Sequence, residues 1–158
     1  MAQNRTKTDL LLKILDQAYD RRSWHGPNLR GSLRGITARK AIWRPGRGRH
    51  SIWELTLHAA YWKYVALRRL RHHKRGSFPM RGSNWFAHRA VADEKAWKAD
   101  LRLLEETHRS LRKAVAALHH GSRELQATGL LDVLIGIAAH DLYHAGQIQL
   151  IKRMHQRR

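Results

Sequence analysis

Four long segments of this chain repeat apolar residues at the three- and four-residue spacing of an amphipathic helix. No segment sustains the strict alternation of apolar and polar residues that a half-buried strand requires. The chain has 158 residues, which is enough for one domain with a sizeable core. The pattern therefore predicts an all-α fold, a four-helix bundle, in a single domain covering residues 1–158.

Helix-capping and helix-breaking residues give approximate bounds for these helices. The first helix is expected to end where Gly26 and Pro27 follow it. Ser51 and Glu54 have the spacing of a capping box, which predicts the start of the second helix. The predicted helices cover about 8–24, 51–74, 93–119 and 130–155.

The predicted connections differ in length. Residues 28–50 form a long connection with room for one or two short helical turns, and residues 76–92 form a second long connection. The link before the fourth helix is short. This arrangement favours a bundle that is not a simple up-and-down meander.

The charge of the chain is strongly positive and unevenly spread. There are 31 Lys and Arg against 12 Asp and Glu, a formal net charge of +19, and residues 1–80 hold 18 basic and 4 acidic side chains. Such a field attracts polyanions and small anions alike. The basic run 68–75 supports a nucleic-acid-binding module as one hypothesis, although the chain has no recognised DNA-binding motif or aromatic stacking platform.

Several classes of protein are disfavoured by composition. The chain has no cysteine, which excludes disulfides and any cysteine nucleophile or metal ligand. No run of about 18 apolar residues predicts a transmembrane helix. Residues 1–15 have the pattern of an amphipathic helix and not of a signal peptide, so a cytoplasmic location is expected by default.

Three histidines occupy positions where the helical pattern calls for apolar residues. At 100° of rotation per residue, His140 and His144 fall in the apolar sector of the fourth helix, and His58 falls in that of the second. Burying an unpaired imidazole costs a few kcal/mol, so each ring needs a partner. One divalent metal ion would serve all three.

The spacing of these histidines suits a metal site. Residues four apart on a helix have Cβ atoms about 6 Å apart, which lets two imidazole nitrogens reach one ion at about 2.0–2.1 Å. His58 would complete a three-histidine site with open coordination positions, as in catalytic metal centres. The spacing alone is weak evidence in a chain with 12 histidines, and hydrogen-bonded core histidines are the alternative.

Asp141 replaces the glutamate of the metalloprotease pattern H-E-x-x-H, which argues against a protease.

Two segments resemble the DinB/YfiT-like family of metal-binding four-helix bundles: WELTLHAAYW at 53–62 and HDLYHAGQI at 140–148. The resemblance extends over essentially the whole chain. It implies non-sequential helix packing, a zinc or nickel ion on His58, His140 and His144, and a homodimer. It also implies an enzyme that transfers low-molecular-weight thiols. An open three-histidine metal site could equally support hydrolysis of a small molecule.

Further residues are candidates for a pocket beside this site. His25 and Gln147 could face a ligand, and Arg44 could lie on a positive rim that binds substrate carboxylates. The alternatives are a helix-terminal histidine for His25 and a solvated loop arginine for Arg44. His108 could add a fourth ligand, but a core histidine is favoured. A metal protein that binds a ligand without turnover is a further hypothesis.

Overall fold

A computed structural model describes residues 2–76, 78–87, 90–118 and 129–156, with side chains from residue 7 onward. Within these ranges the regular structure is entirely helical, which confirms the predicted fold class. None of the described helices is both long and apolar enough to cross a bilayer. The helices are α1 (Ala2–Tyr19), α2 (Leu29–Ser32), α3 (Ala38–Ile42), α4 (Ile52–Leu70), α5 (Glu94–Ala116) and α6 (Leu130–Gln156).

The four long helices pack in a non-sequential order. Among the described residues, α1 packs against α5 and α6, and α4 also packs against α5 and α6. Helices α1 and α4, consecutive among the long helices, therefore lie diagonally across the bundle, as do α5 and α6. The long connection 20–51 makes this crossing possible, and it contains α2 and α3, the short helical turns expected there. Most of the link before α6 lies outside the described residues.

Side-chain caps fix the starts of α4 and α5 as the sequence predicted. The Ser51 hydroxyl accepts from the backbone N–H of Glu54, and the Glu54 carboxylate accepts from the N–H of Ser51. The Asp93 carboxylate accepts from the first backbone N–H groups of α5, at Lys95 and Ala96. Both caps satisfy N–H groups that have no partner within the helix.

The predicted end of the first helix is wrong by five residues. Helix α1 ends at Tyr19, where the N–H of Arg21 bonds to the carbonyl of Asp16 at 2.8 Å. The side-chain amide of Asn28 then donates to the Arg21 carbonyl, which pulls the chain away from the helix axis. Trp24 is fully exposed, so no contact of this side chain with the core would stabilise a longer helix.

The second helix also ends earlier than predicted, at Leu70 and not near Lys74. His72 adopts the left-handed conformation (φ 53°), and the N–H groups of His72 and His73 return to the carbonyls of Arg69 and Arg68. This is a Schellman motif, in which glycine usually occupies the left-handed position. Because histidine stands there instead, no glycine marks this helix end in the sequence.

Two tryptophans join α4 to α5 and to the connection around α3. Trp53 and Trp97 are buried with their ring centroids 5.1 Å apart. The Trp53 indole N–H donates to Asp100 at 2.7 Å, and the Trp97 indole N–H donates to the carbonyl of Ile36 at 2.8 Å. The apolar area is therefore buried without leaving either indole N–H unpaired.

A buried ion pair connects α4 to α6. The ammonium group of Lys63 donates to the carboxylate of Asp141, and both residues are 0% exposed. Burial raises the pKa of Asp141 and the ammonium opposes that shift. The tyrosine ring of Tyr19, from α1, lies 5.0 Å below the Lys63 nitrogen. Three of the four long helices thus meet at one charged pair.

We expect Lys63→Met to destabilise the fold by about 3–5 kcal/mol, because it leaves a buried carboxylate without its counter-charge. The double variant Lys63→Met/Asp141→Leu should recover most of that loss, since it removes both charges. Urea unfolding of the two variants and the parent measures both effects. A double variant as unstable as the single one would show that the pair is not the reason for the loss.

Candidate metal centre

Three imidazole rings from two helices meet in the bundle. His58 projects from α4, and His140 and His144 project from α6 one turn apart. The Nε2 atom of His140 lies 3.0 Å from the Nε2 atoms of both His58 and His144. His58 and His144 are buried, at 6% and 3% exposure, while His140 is half-buried. The sequence-predicted juxtaposition of these three residues is therefore present.

The second nitrogens of two rings fix which nitrogen faces the centre. The Nδ1 atom of His58 lies 2.9 Å from the carbonyl oxygen of Asn84, and that of His144 lies 2.7 Å from the Gln147 side-chain oxygen. Both oxygens only accept hydrogen bonds, so both Nδ1 atoms carry the proton. The Nε2 lone pairs of these two histidines consequently point at the shared centre.

The three rings are uncharged at neutral pH. Burial lowers the pKa of His58 to about 4, with a further contribution from the nearby His144. Burial and the neighbouring His144 and His58 lower the pKa of His140 to about 3, and burial lowers that of His144. A neutral imidazole is the form that binds a metal ion.

A divalent ion fits this donor set better than the hydrogen bonds that the rings could make among themselves. Nitrogens that bind one ion at about 2.0–2.1 Å lie roughly 2.9–3.4 Å apart, which includes the 3.0 Å between His140 and each of the other two rings. The three ligand atoms all lie within 4.8 Å of one another. Without an ion, the single proton of neutral His140 would have to serve two lone pairs. The described residues add no carboxylate to the cluster, so its ligand set is three neutral nitrogens.

The connection between α4 and α5 provides one wall of the site through Asn84. Asn84 adopts a left-handed conformation (φ 63°), which asparagine tolerates better than most residues. In this conformation its backbone carbonyl accepts from His58, and its side-chain oxygen accepts from the indole N–H of Trp62 at 2.9 Å. One residue thus orients a histidine of the cluster and a neighbouring tryptophan.

Trp85 forms a lid over His58. Its indole stacks on the His58 ring with centroids 3.9 Å apart and planes 7° apart. The other face of the indole stacks on His50 at 3.6 Å and 3°. The flat stack holds the His58 ring and keeps water away from that face.

Gln147 and Arg44 each bind another side chain of the protein. Gln147 orients His144, as described above, so it acts on the site through that ring. The Arg44 guanidinium makes a two-pronged ion pair with Glu54, with N–O distances of 3.0 and 2.5 Å. This pair and the cap at Ser51 lower the pKa of Glu54 to about 2 in spite of burial, so the carboxylate stays charged. Arg44 therefore stabilises the start of α4, which carries His58.

His25 and His108 lie outside the cluster. His25 is exposed in the connection after α1, where its ring lies 3.4 Å from the Ser23 hydroxyl. His108 is buried in α5 and stacks on Tyr19 with centroids 3.7 Å apart. Burial and the nearby Lys63 lower the pKa of His108 to about 2, so its ring is neutral. The expected role of His108 as a core histidine agrees with this position.

Sequence reasoning missed Asn84, Trp85 and the function of Gln147 as a hydrogen-bond acceptor. Gly82-Ser83-Asn84 is a turn-forming sequence in which asparagine favours the left-handed conformation, so the bend itself left a signal. A tryptophan directly after that turn is a second signal. Neither signal says that the turn lies over α4, because that contact is between residues 26 positions apart.

We expect nitrogen NMR spectra of the metal-free protein at pH 7 to show His58 and His144 with the proton on Nδ1. Gln147→Leu removes the acceptor for His144 and should shift its ring toward the Nε2–H form, while His58 is unchanged. His58 therefore serves as the internal control. An unchanged His144 tautomer in this variant would contradict the role given to Gln147.

Comparison with known proteins agrees with this architecture. Searches among curated proteins and among solved structures found no match. The family model of the DinB superfamily matches residues 21–148, which include most of the bundle and all three clustered histidines. By this match, which extends over far more than half of its length, the chain belongs to the DinB superfamily.

Proposed function

We propose that this protein binds one divalent transition-metal ion through His58, His140 and His144 and uses it to act on a small molecule. The observation that carries the proposal is the convergence of three neutral Nε2 atoms, two of which are aimed by hydrogen bonds at Nδ1. Neutral imidazoles suit zinc and nickel among the common metals. The family resemblance favours the same two ions.

The reaction class that we propose is thiol transfer or hydrolysis. A bound ion with open positions would act as a Lewis acid and lower the pKa of a thiol or water. The protein contributes the fixed geometry of the three rings, the Trp85 wall that shields His58, and a neutral ligand set that leaves the positive charge of the ion undiminished. With no carboxylate in the described cluster, proton removal would depend on that charge and not on a protein base.

We expect the protein, purified without chelator, to contain about one zinc or nickel ion per chain, since three histidines complete one site. His58→Ala, His140→Ala and His144→Ala should each lower metal content and affinity strongly, because two nitrogens hold an ion much less tightly than three. Elemental analysis and competition with a chromogenic chelator measure both quantities.

The control for this experiment is His155→Ala, which removes another histidine from α6. Its ring packs on the edge of Trp43, with centroids 5.2 Å apart, so metal content should stay at the parental value. A parent protein that holds no stoichiometric metal, or an equal loss in the control, would contradict the proposed site.

Cobalt(II) substitution tests the proposed chemistry at the level of ligand binding. Adding a small thiol should produce an intense sulfur-to-cobalt absorption band if an open position accepts a thiolate. The band should be absent in His140→Ala. A cobalt-loaded protein that binds no thiol would argue against thiol transfer and leave hydrolysis, and a bound thiol without turnover of any acceptor would indicate a ligand-binding protein.

Homodimer formation stays a prediction.

A further inference from the structure

We propose that the ligand of the metal centre enters through a trough between α4 and α6, and that it is an elongated molecule with an anionic group at the end remote from the metal. This inference rests on the proposed function and adds the substrate class. The trough is a cavity of about 200 Å³ next to a second cavity of about 460 Å³. The first is lined by Trp62, Val65, Ala66, Arg69, Val133, Gly136, Ile137 and His140.

One end of the trough reaches His140, one of the three clustered histidines. His140 lines the smaller cavity and is the half-buried member of the cluster, so this side of the site is open. Trp62 lies beside it, with its ring 6.4 Å from that of His140 and 6.3 Å from that of His58. The opposite side of His58 is covered by Trp85. A ligand would therefore approach along α4 and α6, and not through the connection that carries Trp85.

The middle of the trough is apolar and has free space above Gly136. A Cβ atom added at Gly136 would meet no other atom within 4 Å, so the missing side chain leaves room that the protein does not fill. Glycine in the middle of a helix lowers helix stability by about 1 kcal/mol relative to alanine. Its presence here widens the trough at that cost, and the neighbouring Val65 and Ile137 supply apolar walls.

The far end of the trough is basic. Arg69 and Val133 line both cavities, and His72 and His73 also line the larger one. No carboxylate is among the residues that line either cavity in the described part of the chain. Arg68 donates to the carbonyl of His73, which commits it to the turn after α4. Arg69 is exposed and has no carboxylate partner among the described residues, so its charge is available for a ligand.

The length of the trough sets the length of the ligand. Helices α4 and α6 run antiparallel here, because His58 lies at His140 while Arg69 shares a cavity with Val133. Val133 and His140 are seven residues apart on α6, which corresponds to about 10 Å. An extended carbon chain advances roughly 1.3 Å per carbon, so about eight carbons would connect a thiol at the metal to a carboxylate or phosphate at Arg69.

The probes that test this proposal are three thiols: 8-mercaptooctanoate, 8-mercapto-1-octanol and mercaptoacetate. Their binding to the cobalt-loaded protein is followed by the sulfur-to-cobalt band and by calorimetry. We expect the eight-carbon acid to bind about five- to tenfold more tightly than the neutral alcohol, the range of an exposed ion pair joined to a second contact. It should also bind more tightly than mercaptoacetate, which cannot reach Arg69 from the metal.

Two pairs of variants distinguish binding in the trough from general effects of a lost positive charge or an added side chain. Arg69→Ala should abolish the preference for the acid over the alcohol, whereas Arg71→Ala, a basic residue at the end of α4 that lines neither cavity, should keep it. Gly136→Leu should weaken binding of both eight-carbon thiols at least tenfold by filling the trough. Gly146→Leu is the matched control, since Gly146 lies on the same helix and also has free space around it.

The outcomes distinguish this inference from the proposed metal function. The inference would be overturned if the parent bound the acid and the alcohol equally well, or if Arg69→Ala and Arg71→Ala had equal effects. In either case a sulfur-to-cobalt band would still support the proposed metal function. If the parent holds no metal, octanoate itself becomes the probe. If octanoate binds and its binding depends on Arg69 and Gly136, the trough and its site for an anionic group are supported even though the metal function has failed. If octanoate does not bind in this way, the inference fails together with the metal function.

Discussion

The contact between α4 and α6 is the interaction on which the site depends, and the buried pair of Lys63 and Asp141 governs it. A sliding or rotation of one helix against the other would leave a charge without its partner in the core, which costs several kcal/mol. The pair therefore favours one register. In that register His58 of α4 lies opposite His140 and His144 of α6, so the same contact sets both the core and the site.

The three histidines of the cluster are oriented by residues that do not themselves contact its centre. Asn84 and Gln147 select the nitrogen that each ring presents, and Trp85 fixes the plane of His58. Arg44 acts indirectly, because its ion pair with Glu54 stabilises the first turn of α4, the helix that carries His58. These contacts restrict the orientations of the rings, and such outer hydrogen bonds and packing contacts orient the ligands of a metal site.

The positive charge of the chain has a more specific meaning in this context. Many of its basic residues are spread over the surface, but the end of α4 places Arg69 beside a cavity that His140 also lines. Arg44, predicted from the sequence to lie on a positive rim, pairs with Glu54 at the start of α4.

The sequence by itself determined the class of the fold, the capped start of α4, the approximate start of α5, and the three histidines, because helical periodicity and capping are local properties of the chain. It did not determine that Lys63 is fully buried, that α1 ends at Tyr19, or that Asn84 and Trp85 close over His58. Those features depend on contacts between residues far apart in the chain, and local pattern carries no information about which distant surface a turn will cover. Periodicity showed that the three histidines face inward, and only the tertiary packing of α4 against α6 decided that they meet at one point.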